Sequence, residues 1–297
     1  MTHRIIACIL FLLPILPCAG ETPGADAKPS TPADAPAAKA PRKISPELKA
    51  ALEKLALPGV KLNIEEWSVD VDSKVCLREG LLELIACTKD SKEHESIIMI
   101  EAKPSHVHTA LLLLGAKPGR PATQEAIDPE MTRWRSFPPS GGPIDVFLVI
   151  TDAAGKQTEH PISDFIARAE GHDWNPPADD PSQEPEEEKF PTHTFVFAGS
   201  HLVGEGEGPR RYLCDLSGNV ISITTFGDEL LCLPGFHDNS NGALMWQVDG
   251  EKLPEIGSRV ILRLRPRIEP APAESAAPPA ESPAESPAGP KAGAGPE

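Results

Sequence analysis

Two stretches of this chain contain no large apolar side chain, and they decide where folding can happen. Between Glu21 and Lys43 there is no Leu, Ile, Val or aromatic residue, and the segment is built mainly from Ala, Pro, Lys, Asp and Thr. From Glu269 to Glu297 the chain repeats Pro-Ala-Glu-Ser, again without a large apolar residue. Neither segment can bury enough surface to offset an ordering cost of about 1–2 kcal/mol per residue. Both are expected to be disordered, Pro-stiffened spacers. A folded body is therefore expected over residues 44–268, within the range of one β-rich domain.

The N-terminus reads as an export signal. Arg4 precedes an apolar run from Ile5 to Leu16, followed by Pro17-Cys-Ala-Gly20. That run is shorter than the roughly 20 residues needed to cross a hydrocarbon core as a helix. Residues 1–20 are expected to be a cleaved signal peptide, with Cys18 and Gly20 before the cut. Cys18 also offers an alternative lipidation site, although Pro17 fits that pattern poorly. The expected location is the periplasm or cell envelope, with no membrane span in the mature chain.

The formal net charge is −16 at pH 7. Such a balance argues against nucleic acid and anionic lipid as partners, because both need a basic footprint. Part of the charge lies in Asp179, Asp180, Glu184 and Glu186-Glu-Glu188, among Pro176, Pro177, Pro181 and Pro185. Residues 176–189 are expected to form a solvated acidic loop. The spaced Asp/Asn-Gly pattern of a calcium loop is missing there.

Within the folded body the apolar period changes repeatedly. Ser45-Pro46-Glu47 is a helix start, with Leu48, Ala51, Leu52 and Leu55 at helical spacing. Strands are predicted around Leu62–Val71, Val75–Leu77, Leu81–Cys87 and Ser96–Ile100, with Arg78-Glu79-Gly80 as a hairpin turn. Ser105–Leu114 is predicted as a helix, with Val107, Ala110, Leu111 and Leu114 on one face and Gly115 as its stop. Leu112 and Leu113 widen that stripe and predict burial on most sides. Ile144–Thr151 is a buried strand, and Pro161–Glu170 a short helix. Thr194–Phe197, Leu244–Val248 and Val260–Leu264 are strands. Ser217-Gly218-Asn219 between Tyr212–Leu216 and Val220–Thr224 is the clearest hairpin signal, and Asp228–Leu233 is at most one or two helical turns. Strands and short helices mix without regular alternation, which predicts an α+β class: a single domain of hairpins with a few short helices.

Four cysteines follow the signal segment: Cys76, Cys87, Cys214 and Cys232. An even count in an exported chain makes all four disulfide candidates, the local pairing being Cys76–Cys87 and Cys214–Cys232. The absence of Cys-x-x-Cys argues against a thioredoxin-like site or a zinc knuckle.

Cys87, Glu93, His94, Glu95, His106 and His108 bring together the ligand types of zinc, iron or copper. Spacing limits their convergence. His106 and His108 point nearly opposite ways on a helix, and His94 and Glu95 on one strand face opposite sides. The combinations left are His94 with His108 or Glu95 with His108, so the candidate metal ligands are His94, Glu95 and His108. The plainer reading is a turn held by hydrogen bonds, or a carboxylate fixing a helix N-terminus. A His–Glu pair can also serve acid–base chemistry near neutral pH. No complete catalytic set accompanies it: Ser200, in Ala198-Gly-Ser-His201, lacks the Gly-x-Ser-x-Gly elbow.

Several blocks together carry a resemblance. They are Cys76-Leu-Arg-Glu-Gly-Leu-Leu-Glu-Leu-Ile-Ala-Cys87, Lys92-Glu-His-Glu-Ser96, Val107-His108, Ala110-Leu-Leu-Leu-Leu-Gly115 and Lys117-Pro-Gly119. Phe195-Val-Phe-Ala-Gly-Ser200 and Tyr212-Leu-Cys-Asp215 look like later blocks of the same pattern. The chain resembles the YdjY-type domain family of exported bacterial proteins over approximately residues 60–266. The resemblance implies an exported domain and carries no established activity. A ferredoxin-like label used for some members finds no clustered cysteine spacing here. Two function classes follow: a non-catalytic envelope module that binds a protein or cell-surface component, and a metal-dependent enzyme or carrier using His94, Glu95 and His108. Trp134, Phe137 and Trp174 are candidate contact residues for the first.

Overall fold

The computed structural model describes residues 55–169, 189–204, 206, 208–238 and 244–268. The signal peptide with Cys18, both spacers, most of the first expected helix, Trp174 and nearly all of the acidic loop lie outside the described residues.

Ten strands form one sheet: β1 (Val60–Asn63), β2 (Ser68–Val75), β3 (Leu84–Thr88), β4 (Ser96–Ile100), β5 (Pro143–Thr151), β6 (Gln157–Pro161), β7 (Thr194–Val196), β8 (Asn219–Ser222), β9 (Leu231–Cys232) and β10 (Arg259–Pro266). Eight of them run in the order β2-β10-β5-β7-β9-β8-β3-β4, and β4 pairs back onto β2 through Val75 and Ile98. The sheet closes into an eight-stranded barrel, with β1 on β2 and β6 on β5 outside the ring. Closure corrects the α+β expectation. Among the described residues helix is confined to α1 (Pro104–Leu113), α2 (Cys214–Ser217) and two 3-10 turns, and the core is the barrel lumen.

Alternation explains which faces point inward. In β10, Val260, Leu262 and Leu264 are buried while Ile261, Arg263 and Arg265 lie on the outer side. Arg263 makes a bidentate pair with Asp70 on β2, both contacts at 2.7 Å, and reaches Glu159 on β6 at 3.0 Å. Arg265 holds the same Glu159 at 2.7 Å. This outer network ties β2, β10 and β6 across the strands that flank them. Inside, Val69, Val71, Ile98, Val146, Leu148, Phe165, Phe195 and Phe197 fill the lumen, each aliphatic or aromatic side chain adding about 1.5–3 kcal/mol of burial.

Two parallel pairings make closure unusual. β3 runs parallel to β4, and β8 parallel to β9. Parallel neighbours ordinarily need a crossover of about a dozen residues or more, yet here residues 89–95 and 223–230 suffice. β3 and β8 are antiparallel neighbours, so the two crossovers belong to adjacent parts of the wall.

Two predicted hairpins are corrected. Arg78-Glu79-Gly80 does not fold β2 onto β3, because β4 stands between them. Gly218 has φ 83° and ends helix α2 rather than turning a hairpin. A left-handed glycine serves both roles equally, and local sequence does not separate them. The predicted helix at 161–170 is a 3-10 turn, Ile162–Phe165, followed by a strand, Ile166–Arg168. Residues 228–233 contain strand β9 and no helix. Helix α1 lies where predicted, with Val107, Ala110 and Leu111 buried, but Leu112 and Leu113 are 43% and 40% exposed, so only one face packs.

Candidate functional site

Most of the sequence-predicted site residues lie on or beside the first crossover, residues 89–95. Its turn is held from within. Asp90 takes a left-handed φ of 63°, and Glu93 Oε1 accepts the Asp90 N–H at 2.9 Å. Ser91 donates to the Thr88 carbonyl at 2.6 Å, and Ser96 to the Lys92 carbonyl at 2.7 Å. Glu93–Glu95 forms a single 3-10 turn rather than a strand, so the alternation assumed for His94 and Glu95 does not apply.

That turn sends His94 and Glu95 different distances into solvent. The His94 side chain is 78% exposed and the Glu95 side chain 19%. His94 Nε2 still reaches Glu95 Oε2 at 3.7 Å, and Lys92 Nζ reaches Glu95 Oε1 at 3.4 Å. Glu83 shares this neighbourhood. Burial pushes its carboxyl up, the Glu95 charge adds to that, and Lys92 and His94 oppose it. Lys92 also lies 3.6 Å from the centroid of the Phe226 ring, on the second crossover.

The second crossover repeats the device. Gly227 has φ 87°, and Glu229 Oε1 accepts the Phe226 N–H and, at 2.9 Å, the Gly227 N–H. In both crossovers a glutamate two or three residues before the returning strand closes the turn through backbone N–H groups two or three residues upstream. Glu229 is 1% exposed, and the Asn219 amide donates to the neighbouring Asp228 carboxylate at 2.6 Å.

Beneath the first crossover lies a pair of thiols. Cys76 follows β2, Cys87 lies in β3, and β4 runs between those strands. Cys76 is half-buried and Cys87 fully buried. Cys76 Sγ is 3.1 Å from the Ser96 carbonyl oxygen. Each thiol is the largest single influence on the other's proton. The Cys76 thiol stabilises the Cys87 thiolate, as do Ser96, Ser91 and the Lys92 backbone N–H, and together they outweigh burial and hold Cys87 below an ordinary thiol. Cys76 is correspondingly raised. The other two cysteines differ. Burial pushes Cys214 and Cys232 up, and the charges of Asp228 and Glu229 act in the same direction, Asp228 on Cys214 and Glu229 on both. All four are thiols in this structure.

His108 belongs to another cluster. It projects from α1, and its Nδ1 lies 2.8 Å from the Tyr212 hydroxyl, which donates to the Gly199 carbonyl at 2.9 Å. The ring meets Phe197 and Tyr212 edge-on, at 4.9 and 5.5 Å between centroids. Burial lowers its proton affinity, while the contact with Gly199 backbone opposes this. On the same helix His106 Nδ1 is buried without a hydrogen-bond partner. A carboxylate does hold the α1 N-terminus, but it comes from Asp215 on α2. Asp215 accepts the Ser105 N–H at 2.8 Å and the Ser105 hydroxyl at 2.7 Å. Ser200 is structural: its hydroxyl donates to the Asp228 carbonyl at 2.6 Å and accepts the Cys214 N–H at 3.1 Å.

His94 and Glu95 are thus together, and His108 has aromatic neighbours of its own. Among the described residues no group of three or more His, Cys, Asp and Glu side chains is arranged to hold a metal ion.

The sequence model of the YdjY domain matches residues 60–265, which span the whole barrel and both crossovers. The chain belongs to the YdjY domain family. No curated protein and no solved structure matches it. The YdjY domain carries no assigned activity, so its chemistry rests on the residues above. No helix among the described residues is long and apolar enough to cross a membrane.

One surface feature of this YdjY domain was only half visible in the sequence. Thr123–Ala126 and Trp134–Phe137 pair as a hairpin outside the barrel sheet. Asp128 orders its tip by accepting the Thr132 and Arg133 N–H groups at 2.9 and 3.1 Å. Ile127, Met131 and Trp134 are 46%, 59% and 49% exposed on it. Phe137 is half-buried under the Arg120 guanidinium, 5.6 Å away. At the hairpin's base an open cavity of about 630 Å³ is lined by Ala122, Thr123, Phe226, Phe236 and His237.

Proposed function

We propose that this protein is an exported cell-envelope module that binds a protein or cell-surface component without transforming it. The observation that carries this reading is the hairpin at 123–137. An ordered tip presents Ile127, Met131 and Trp134 to solvent beside an open cavity. Exposed, rigidly held aromatic and methionine side chains are the usual anchors of protein contacts. The spacers expected at 21–43 and 269–297 extend such a module away from a surface. The acidic charge directs it toward neutral or basic partners. The metal reading, with zinc, iron or copper on His94, Glu95 and His108, has less support, because His108 is engaged by Tyr212.

The test is photo-crosslinking in the producing cell. A photo-reactive residue at position 134 is expected to yield one discrete adduct that Met131→Asp abolishes. The same residue at Ile256, which is 63% exposed and lies outside the hairpin, is expected to give none. Absence of adducts from positions 127, 131 and 134 alike would overturn the binding surface. Near-stoichiometric metal, lost in both His94→Ala and His108→Ala, would replace it with the metal reading.

A further inference from the structure

We propose that the open cavity at the base of the hairpin binds a neutral saccharide, with sugar rings packed on Phe226 and Phe236. The proposal deepens the envelope reading and rests on it, because it names the chemistry of the cell-surface component. The cavity measures about 630 Å³, within the roughly 300–1,000 Å³ of small-ligand sites. Its lining mixes the two aromatic rings with neutral hydrogen-bonding side chains, Thr123, Gln124 and Thr225. A pyranose needs that mixture: its C–H face packs against an apolar ring, while each hydroxyl both donates and accepts hydrogen bonds. Phe236 is 40% exposed, a large apolar surface left facing solvent in the cavity wall.

Hydrogen bonds hold the cavity in shape without a ligand. The Thr225 N–H donates to the His237 carbonyl at 2.9 Å, and the His237 N–H donates back to the Thr225 hydroxyl at 2.9 Å. This reciprocal pair fastens the segment carrying Phe236 to the second crossover, which carries Phe226. The His237 ring is itself fixed, its Nε2 donating to the Pro234 carbonyl at 2.9 Å. Gly227 lies against the hairpin base: a Cβ there would stand 3.3 Å from the Ala122 carbonyl oxygen. Three segments of chain thus define one cavity, and a preorganised site loses less ordering entropy on binding. Charge selects against ionic ligands. Among the described residues lining the cavity there is no Lys or Arg to hold an anion. The Lys92 ammonium, 3.6 Å from the Phe226 centroid, already takes up that ring's attraction for a cation. Asp238, the one carboxylate of the lining, has a partner within the protein. The ligand left favoured carries hydroxyl groups and no charge.

The experiment titrates the full-length mature protein with maltohexaose, cellohexaose and chitohexaose by isothermal calorimetry. These neutral probes separate an α-linked glucan, a β-linked glucan and an N-acetylated glycan as the source of the sugar. Hexamers of glucosamine and of galacturonic acid are the cationic and anionic counterparts. At least one neutral hexasaccharide is expected to bind with Kd below about 1 mM, and Phe236→Ala to weaken it more than about tenfold. Both charged hexamers are expected to bind at least about tenfold more weakly than the neutral one. Circular dichroism checks that Phe236→Ala folds. Amide exchange on the wild type locates the site without a variant, the sugar slowing exchange at residues 122–124 and 225–238. No binding of any neutral hexasaccharide up to about 10 mM would overturn the proposal. So would binding that Phe236→Ala leaves unchanged, or a charged hexamer that binds as tightly as the neutral one. Met131→Asp is expected to keep the sugar affinity while abolishing the adduct at position 134. A failed titration therefore strikes the saccharide alone, and missing adducts strike the hairpin surface alone.

Discussion

Asp215→Ala offers the sharpest check on how the helices are attached to the barrel. Asp215 closes the open N-terminus of α1 with two hydrogen bonds, at 2.8 Å to the Ser105 N–H and 2.7 Å to the Ser105 hydroxyl. Helix α1 has no side-chain cap of its own at Lys103 and no acid in its first turn, so this carboxylate is the capping group from elsewhere in the fold. Hydrogen bonds to a charged acceptor contribute about 1.5–3 kcal/mol each, which sets the ceiling. Because Ser105 is only part-buried, water replaces some of what is lost. Measured losses of helix N-caps run to about 0.5–2 kcal/mol, and interaction with the helix dipole adds about 0.3–1 kcal/mol. The expected cost is about 2 kcal/mol. For a folded body of this size that lowers the melting temperature by about 4–8 °C. Urea unfolding of wild type, Asp215→Ala and Asp215→Asn measures it, with Asn expected between the two because it keeps an acceptor and loses the charge. A shift of Asp215→Ala within about 0.5 kcal/mol of wild type, the range of an ordinary surface change, would refute the reasoning.

Two further outcomes test other parts of the wall. Burial pushes the Glu159 carboxyl up, but hydrogen bonds from Arg265 and Arg263 more than reverse this and hold it below an ordinary glutamate. Its contribution to stability is therefore present above the unfolded value and lost as pH falls through the lowered folded value; Glu159→Gln is expected to flatten that part of the stability profile in urea titrations from pH 6 downward. Glu229→Ala strips the acceptor from the Phe226 and Gly227 N–H groups in the second crossover and is expected to cost about 1–3 kcal/mol, read by thermal unfolding, with amide exchange accelerating first around residues 223–230.

The barrel was legible in pieces and illegible as a ring. β5 and β10 could be read directly, because Val146 and Leu148 in one and Val260, Leu262 and Leu264 in the other alternate with outward residues. Helix α1 was legible from its apolar spacing and from Gly115 as its stop. The candidate site was legible as an inventory. His94, Glu95, Cys76 and Cys87 were all singled out; the structure sets the first two on one turn, and places Cys76 at the end of β2 and Cys87 in β3 with β4 between them. His108 was drawn into the same group because it follows closely in sequence, yet α1 turns it toward Phe197 and Tyr212. Glu229, Tyr212 and Asp215 were passed over, since a single carboxylate or hydroxyl shows its role only when its acceptor or donor is in place.

By itself the sequence determined which faces of individual strands are apolar, where α1 begins and ends, and membership of the YdjY domain family. Those properties depend on composition and short-range periodicity, which any window of residues displays. Tertiary structure decided the rest: that β4 inserts between β2 and β3, and that the sheet closes through β2. These follow from pairings between distant strands. The glycine and turn residues that signal a reversal at Gly80 or Gly218 do so identically whether the next strand pairs with the last one or with another. Only burial of the common lumen, which all eight strands share, selects among those pairings.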